Sequence, residues 1–541
     1  MIPDAPASPG APVSTSPERV AAVLVIVGAI AVVLAALPYK SFELDRFFLP
    51  KELVLHVTAL AVALLVLSRT QRLTFGVVDL LLAGYLALSL VSAIAARNHW
   101  LAARGFAIGA SGIALYWTAR ALARAGLTRW LAGGVAAAVV VGAVTALAQA
   151  YGVVSEYASL ARAPGGTFGN RNFMAHLSVI GTPVLVYLAL RARRRGGALV
   201  EVLGLALVSA AVVLSRSRAA WLALLLTTVL LLLGTFWRWR MIGPTAERRA
   251  MLLGAAVAAA VVAALFLPNA LEWRSDSPYL DSVTGVVNYR SGSGRGRLIQ
   301  YRNSARLAMG APLLGVGPGN WAVEYPRVAS RNDPSVLDNG MTANPWPSSD
   351  WVAFLSERGV VGAALLLAAF AGIAITAVGR LRDARTSDDA LAALALGGTV
   401  TTTLGVGAFD AVLLLAAPTL VAWVLAGALV GAGAPEGRWR LTLTGARRSV
   451  LIGAVTVGGV LMVLRSASQI GGMAIHEASR TAQDFDRAAR VDPGSYRLRM
   501  RAAESALARG DCRRAREHAA AARILFPYAP APKRIQRRCG R

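Results

Sequence analysis

Cysteine is nearly absent: Cys512 and Cys539 are the two in 541 residues. That excludes a cysteine-rich metal site, and it leaves open whether the two pair or remain thiols. Histidine is scarce as well, at five positions, and no two of them stand at metal-ligand spacing. We therefore expect no metal and no cofactor. His56 and His99 read as interfacial, and His476 and His518 as part of the C-terminal tail. Acidic residues number 29 against 56 Lys+Arg, for a net charge of +27. Such an excess can mark nucleic-acid binding. Here, however, the arginines are scattered at the ends of apolar runs, where membrane topology accounts for them. No nucleic-acid partner is expected.

Long polar stretches are also few. With 56% hydrophobic residues, the chain is mostly apolar runs near the roughly 20 residues that span a bilayer. Helices satisfy their own backbone groups in lipid, so the expected fold class is all-α, a polytopic membrane protein of about 12–13 spans. The runs are 20–38, 52–68, 75–94, 105–122, 130–151, 172–190, 198–214, 219–237, 251–267, 360–378, 391–409, 412–431 and 450–464. Residues 1–19 read as a disordered tail, 20–465 as the membrane domain with a long loop at 268–350, and 466–541 as a helical tail.

Alternate loops are basic. They carry Arg69 and Arg72; Arg120, Arg124 and Arg129; Arg191 with Arg193 to Arg195; Arg238, Arg240, Arg248 and Arg249; Arg380, Arg382 and Arg385; and Arg438, Arg440, Arg447 and Arg448. The positive-inside rule then makes the N-terminus cytoplasmic and puts the long loop and the C-terminus outside, in the periplasm of a bacterial inner membrane. In the tail, Ala503, Gly510, Ala515, Ala519, Ala522 and Pro527 fall at tetratricopeptide-like offsets, as they would in a generic helical hairpin. A repeat of that kind offers a surface for a protein partner.

The outward polar residues form a short set. Arg216 and Arg218 lie at an outer junction that the positive-inside rule leaves unexplained. They read either as phosphate ligands, through bidentate guanidinium pairing, or as lipid-headgroup anchors. Arg295, Arg297 and Arg302 begin a helix in the long loop. That helix is either a solvated basic face or a second set of anion contacts. Gly315-Val-Gly317-Pro-Gly319 lacks the preceding strand and following Lys-Ser/Thr of a nucleotide loop and reads as a tight turn. Asn170 and Arg171 lead into the sixth run. His176 follows one turn later, either as a proton carrier or as a histidine bonded inside the bundle. Ser348, Asp350 and Trp351 close the long loop.

These motifs occur in a telling order: Gly165-Gly-Thr-Phe-Gly-Asn-Arg-Asn172, Ser217-Arg-Ala-Ala-Trp-Leu222, Gly296-Arg297 before Tyr301-Arg302, Pro312-Leu-Leu-Gly-Val-Gly-Pro-Gly-Asn320, and Ser348-Ser-Asp-Trp351. From about residue 20 to 430 the chain resembles the O-antigen ligase and polymerase family of bacterial membranes, with its related oligosaccharyltransferases. Phe409-Asp410 also fits. The resemblance implies transfer of a glycan from a polyprenyl-diphosphate carrier to a lipid, glycan or protein acceptor, with membrane lipids as surroundings. Arg218 and Arg297 would stabilise the leaving diphosphate, with Arg216, Arg302 and Arg295 beside them. Where the family has a histidine as presumed base, this chain has Ser348. Either Asp350 or His176 then takes its place, with Asp350 as the expected catalytic assistant, or positioning alone carries the reaction. Asn170, Arg171, Ser348 and Trp351 complete the expected substrate contacts. Rival readings are a polymerase of surface-polysaccharide repeat units, and an inactive protein that binds or assembles lipid-linked glycan. A transporter would place its polar residues at the bilayer midplane, and here they gather at the outer surface.

Overall fold

The computed structural model describes residues 15–540 apart from 160–161, 193–194, 274, 286–289, 291, 331, 338 and 433–436. Arg193, Arg194, Ser291 and nearly all of the expected N-terminal tail lie outside that set. The chain is helical almost throughout. The first nine helices are α1 (Ser16–Leu34), α2 (Asp45–Arg69), α3 (Val77–Ala95), α4 (His99–Leu122), α5 (Thr128–Ala150), α6 (Arg171–Arg191), α7 (Arg195–Ser215), α8 (Arg218–Trp237) and α9 (Trp239–Phe266). The long loop holds α10 (Pro278–Thr284), α11 (Gly292–Met309) and α12 (Trp321–Glu324). Then come α13 (Asp350–Asp383), α14 (Ser387–Gly407), α15 (Ala416–Gly431) and α16 (Gly445–Ala478). The tail is α17 (Ala482–Val491), α18 (Tyr496–Ala508), α19 (Cys512–Leu525) and α20 (Pro530–Arg538).

Eleven helical stretches are long and apolar enough to cross a membrane. One of them, His99–Ala150, is two helices joined where Gly126 takes φ 86°. Counting both, and the shorter apolar helix Ala416–Gly431, gives thirteen apolar helices among the described residues. The thirteen runs of the sequence thus become α1 to α9 and α13 to α16. Helix α16 continues past residue 466, where the tail was expected to begin, and His476 belongs to it. His56 is buried against Ser111, 2.8 Å away, rather than interfacial.

Helix α15 is the axis of the bundle. All sixteen of its residues are buried, as an all-round apolar helix requires. Small residues bring its neighbours close. A side chain at Gly427 or Gly431 would meet the backbone of α4 at Tyr116 and Arg120, and one at Gly112 would meet Thr419 and Trp423. Lipid supplies no hydrophobic drive between helices, so this close packing carries the association.

The six basic loops meet at one end. Strand β1 (Arg72–Phe75), after α2, pairs antiparallel with β2 (Trp439–Thr442), after α15. Arg120 ties the exit of α4 to Asp79 at 2.7 Å. Arg191 at the end of α6 pairs with Asp388, and Arg380 of α13 donates to the Leu429 carbonyl. Arg238 after α8 donates to the Ala384 carbonyl at 2.7 Å. The long loop, the α7–α8 junction and the tail all sit at the opposite end.

The glycine run of the long loop clasps α13. Val316 and Gly317 donate their N–H groups to the Ser356 and Glu357 carbonyls, each at 2.9 Å, and Val360 donates to Pro312 at 2.8 Å. Gly315 and Gly359 both take positive φ, 67° and 71°, and each lies directly on the other segment's backbone. A Cβ fits neither position. The expected tight turn is therefore a lock between loop and helix, and its N–H groups are already spent. Behind it Glu357 and Arg358 form a fully buried pair at 3.0 Å, with Arg358 also bonded to Ser89 and the Gly105 carbonyl. Buried charges persist when their hydrogen-bonding capacity is met in this way.

Cys512 and Cys539 form a disulfide with Cα atoms 5.3 Å apart, resolving the alternative that the sequence left open. The tail docks on the loop end. Asn98 donates to the Leu525 carbonyl at 3.2 Å, Arg465 pairs with Asp492 at 2.7 Å, and Phe526 packs against the cluster around Trp321.

Candidate active site

Four segments distant in sequence meet at the loop end of the bundle. Asn170 caps α6 by accepting the N–H of Asn172 at 3.0 Å, which starts the helix so that His176 falls one turn inside. Asn170 is itself buried. The His176 ring is fully buried. Its Nε2 lies 3.4 Å from the hydroxyl of Ser217 and 4.0 Å from the carboxylate of Asp410. Its Nδ1 has no hydrogen-bond partner among the described residues. Ser217 is the N-cap of α8, so Arg218 starts the helix directly beside this group.

Arg216 and Arg218 are held by the beginning of the long loop. Arg216 donates to Ser282 of α10 at 3.0 Å, and Arg218 donates to the Gly285 carbonyl at 2.7 Å. Arg216 adopts φ 54°, uncommon for a side-chain-bearing residue, which marks a tight junction. Its guanidinium stands 4.5 Å over the Trp273 ring, and that of Arg171 stands 5.5 Å from the same ring. Trp273 therefore bridges two cations. Burial pushes the Arg216 guanidinium below its ordinary value and Arg218 adds to this, while Tyr279 and Asp281 oppose it.

Arg297 arrives on α11. Helical spacing puts it on the face of Tyr301, and the Tyr301 hydroxyl donates to the carbonyls of Ser348 at 2.6 Å and Ala408 at 3.3 Å. Gln300 accepts the Ser348 N–H at 2.6 Å. The helix is thus bonded to the segments before Asp350 and before Asp410. Arg297 is half-buried and close enough to His176 to act on it electrostatically. Arg295 and Arg302 are exposed on the same helix. None of Arg216, Arg218 and Arg297 has a carboxylate within ion-pair distance among the described residues. Such a set of unneutralised guanidinium groups is suited to an anion.

Asp350 stands elsewhere than the sequence reading expected. It is fully buried, and its two oxygens accept the N–H groups of Val412 at 3.0 Å and Leu413 at 2.8 Å. An incoming hydroxyl has no access to a carboxylate so placed. Its work is to fix the segment that carries Asp410, whose side chain is 14% exposed. Ser348 is tied through its backbone to α11. Trp351 donates to the Leu404 carbonyl at 3.1 Å and packs on Phe354 and Phe370, so it is a bundle contact. Sequence reasoning had noted Asp410 only through its Phe-Asp context and had not noted Ser217 or Trp273 as part of the site. No spacing rule links them to His176.

This is a multi-pass helical membrane protein with a cationic polar site at one end of its bundle. Residues 203–367 match the family model described as O-antigen ligase. The match begins within α7 and takes in the α7–α8 junction, the whole long loop and the lock on α13. His176 and Asp410 lie outside it, and it is narrower than the 20–430 stretch over which the motifs run. No curated protein matches the chain.

Proposed function

We propose that the protein is a glycosyltransferase that moves a glycan from a polyprenyl-diphosphate carrier to an acceptor hydroxyl at the periplasmic face of the bacterial inner membrane. The observation that carries this reading is the gathering of His176, Asp410 and Arg297, with Arg218 next in the chain to the Ser217 that contacts His176, beside the segment that matches the O-antigen ligase model.

In the proposed reaction the acceptor oxygen attacks the anomeric carbon, and the bond from that carbon to the diphosphate oxygen breaks. The bonding electrons leave with the diphosphate, whose growing charge Arg218 and Arg297 stabilise, with Arg216 and Arg171 nearby. The acceptor proton passes to Asp410, the accessible member of the His176–Asp410 pair. His176 orients that carboxylate from behind. No metal enters these steps. Ligation to a lipid or protein and polymerisation of repeat units share this chemistry and differ in the acceptor.

Deletion of the protein in its host, followed by analysis of surface glycan, tests the reading. Loss of ligated polymer or of protein glycan, restored by the wild-type chain and not by Asp410→Asn, is expected. Unchanged glycan would leave the binding or assembly reading standing. Thiol labelling of single cysteines at Ser335 and Ser68 tests orientation. The first should react from outside intact inner membrane and the second only after permeabilisation.

A further inference from the structure

Beside the cationic site lies a cleft of about 660 Å³, within the roughly 300–1,000 Å³ usual for small-molecule sites. It has three walls: the starts of α2 and α4 in the bundle, the loop segment around Met341 to Trp346, and the tail at Asp492 to Arg501. We propose that this cleft binds the acceptor, and that the acceptor is an uncharged, hydroxyl-rich oligosaccharide. This rests on the glycosyltransferase reading and extends it.

Charge balance is the first argument. Five arginines and five carboxylates line the cleft, and among the described residues every one of those arginines but Arg534 is in an ion pair. Arg104 pairs with Glu52 at 2.7 Å and Asp45 at 3.4 Å, Arg465 with Asp492 at 2.7 Å, and Arg497 with Glu43 at 3.5 Å. A diphosphate gains little there and much at Arg216, Arg218 and Arg297. Paired ions still offer what hydroxyls need, with carboxylate oxygens as acceptors and guanidinium N–H groups as donors. Aromatic faces are the second argument. Tyr496, Trp346 and Phe48 border the cleft and present apolar surface to the C–H face of a sugar ring.

Position is the third. Trp346 lies 5.2 Å from Phe48 and 6.1 Å from Phe173 between ring centroids, and Phe173 lies 6.4 Å from His176. One aromatic partition separates the neutral cleft from the cationic site. An oligosaccharide stacked on Trp346 brings its terminal hydroxyl toward Asp410 while its remaining rings stay in the cleft. The tail thereby becomes part of acceptor selection.

The test uses the full chain in native membranes, with Tyr496 replaced by photoreactive benzoylphenylalanine, and in a second variant Trp273 replaced the same way. After irradiation, a Tyr496-position adduct consisting of carbohydrate without diphosphate is expected. Adding Trp346→Ala should lower its yield at least tenfold. Protease resistance of the disulfide-linked tail checks that each variant is folded. A polypeptide, phospholipid or polyprenyl adduct at that position, or no adduct while wild-type membranes transfer glycan, overturns the assignment of the cleft. Wild-type membranes that transfer nothing although the carbohydrate adduct forms overturn the transferase reading instead. The Trp273 variant should capture the polyprenyl donor.

Discussion

The imidazole of His176, on α6, and the carboxylate of Asp410, between α14 and α15, stand 4.0 Å apart across the bundle. The histidine is fully buried, and the aspartate reaches the site surface. A carboxylate can accept a proton only where the acceptor can approach it, so the division of labour follows from burial. Asp410→Asn should lower transfer by about 10²–10⁴-fold, the usual range for loss of a general base. His176→Gln should lower the rate with little change in the acceptor KM. Initial-rate measurements on both variants decide the matter, and wild-type rates for Asp410→Asn would remove Asp410 from the mechanism.

The arginines divide by burial as well. Arg218→Ala and Arg297→Ala should each cost about 10²–10³-fold in transfer, comparable to the loss of one charge-stabilising donor. Lysine should rescue them poorly, because it lacks the planar fork. The exposed Arg295 and Arg302 should tolerate alanine with less than about threefold loss, surface guanidinium groups contributing little. Equal losses at Arg295, Arg297 and Arg302 would mean that α11 as a whole, rather than its inward face, is what matters.

Asp350 acts through the segment it holds. In Asp350→Asn one of the two backbone N–H groups loses its acceptor. The expected destabilisation is about 1–3 kcal/mol, the cost of an unsatisfied buried group. A thermal-shift assay should show the loss, and residual transfer should exceed that of Asp410→Asn. The reverse ranking would return the base role to Asp350.

The disulfide closes a loop with a sequence separation of 27. Chain entropy puts its contribution at about 3–4 kcal/mol to the tail. Reduction, or Cys539→Ser, should make α18 to α20 sensitive to protease while the bundle stays intact. Equal cleavage rates for the oxidised and reduced protein would show that packing on the loop end suffices.

Much of this protein could be read one-dimensionally. Span positions and the alternation of arginine-bearing loops depend only on local composition, and so thirteen apolar runs and one basic end emerge from the sequence. The arginines at the α7–α8 junction stood out because the charge rule failed to explain them. The glycine run was legible as a turn, but its partner at Glu357 to Gly359 was not. The roles of the acidic residues were not legible at all. Asp350 and Asp410 look alike in sequence, each beside an aromatic near a span end. Only the fold turns one toward the N–H groups of Val412 and Leu413 and leaves the other beside His176. The same holds for the long loop, read at first as polar sequence between two spans. Hydropathy fixed its place at the bundle end opposite the basic loops. Long-range packing decided the rest: α10 grips the junction arginines, α11 delivers Arg297, and Trp346 divides a cationic site from a neutral cleft. Such contacts join residues far apart in the chain, and no local pattern encodes them.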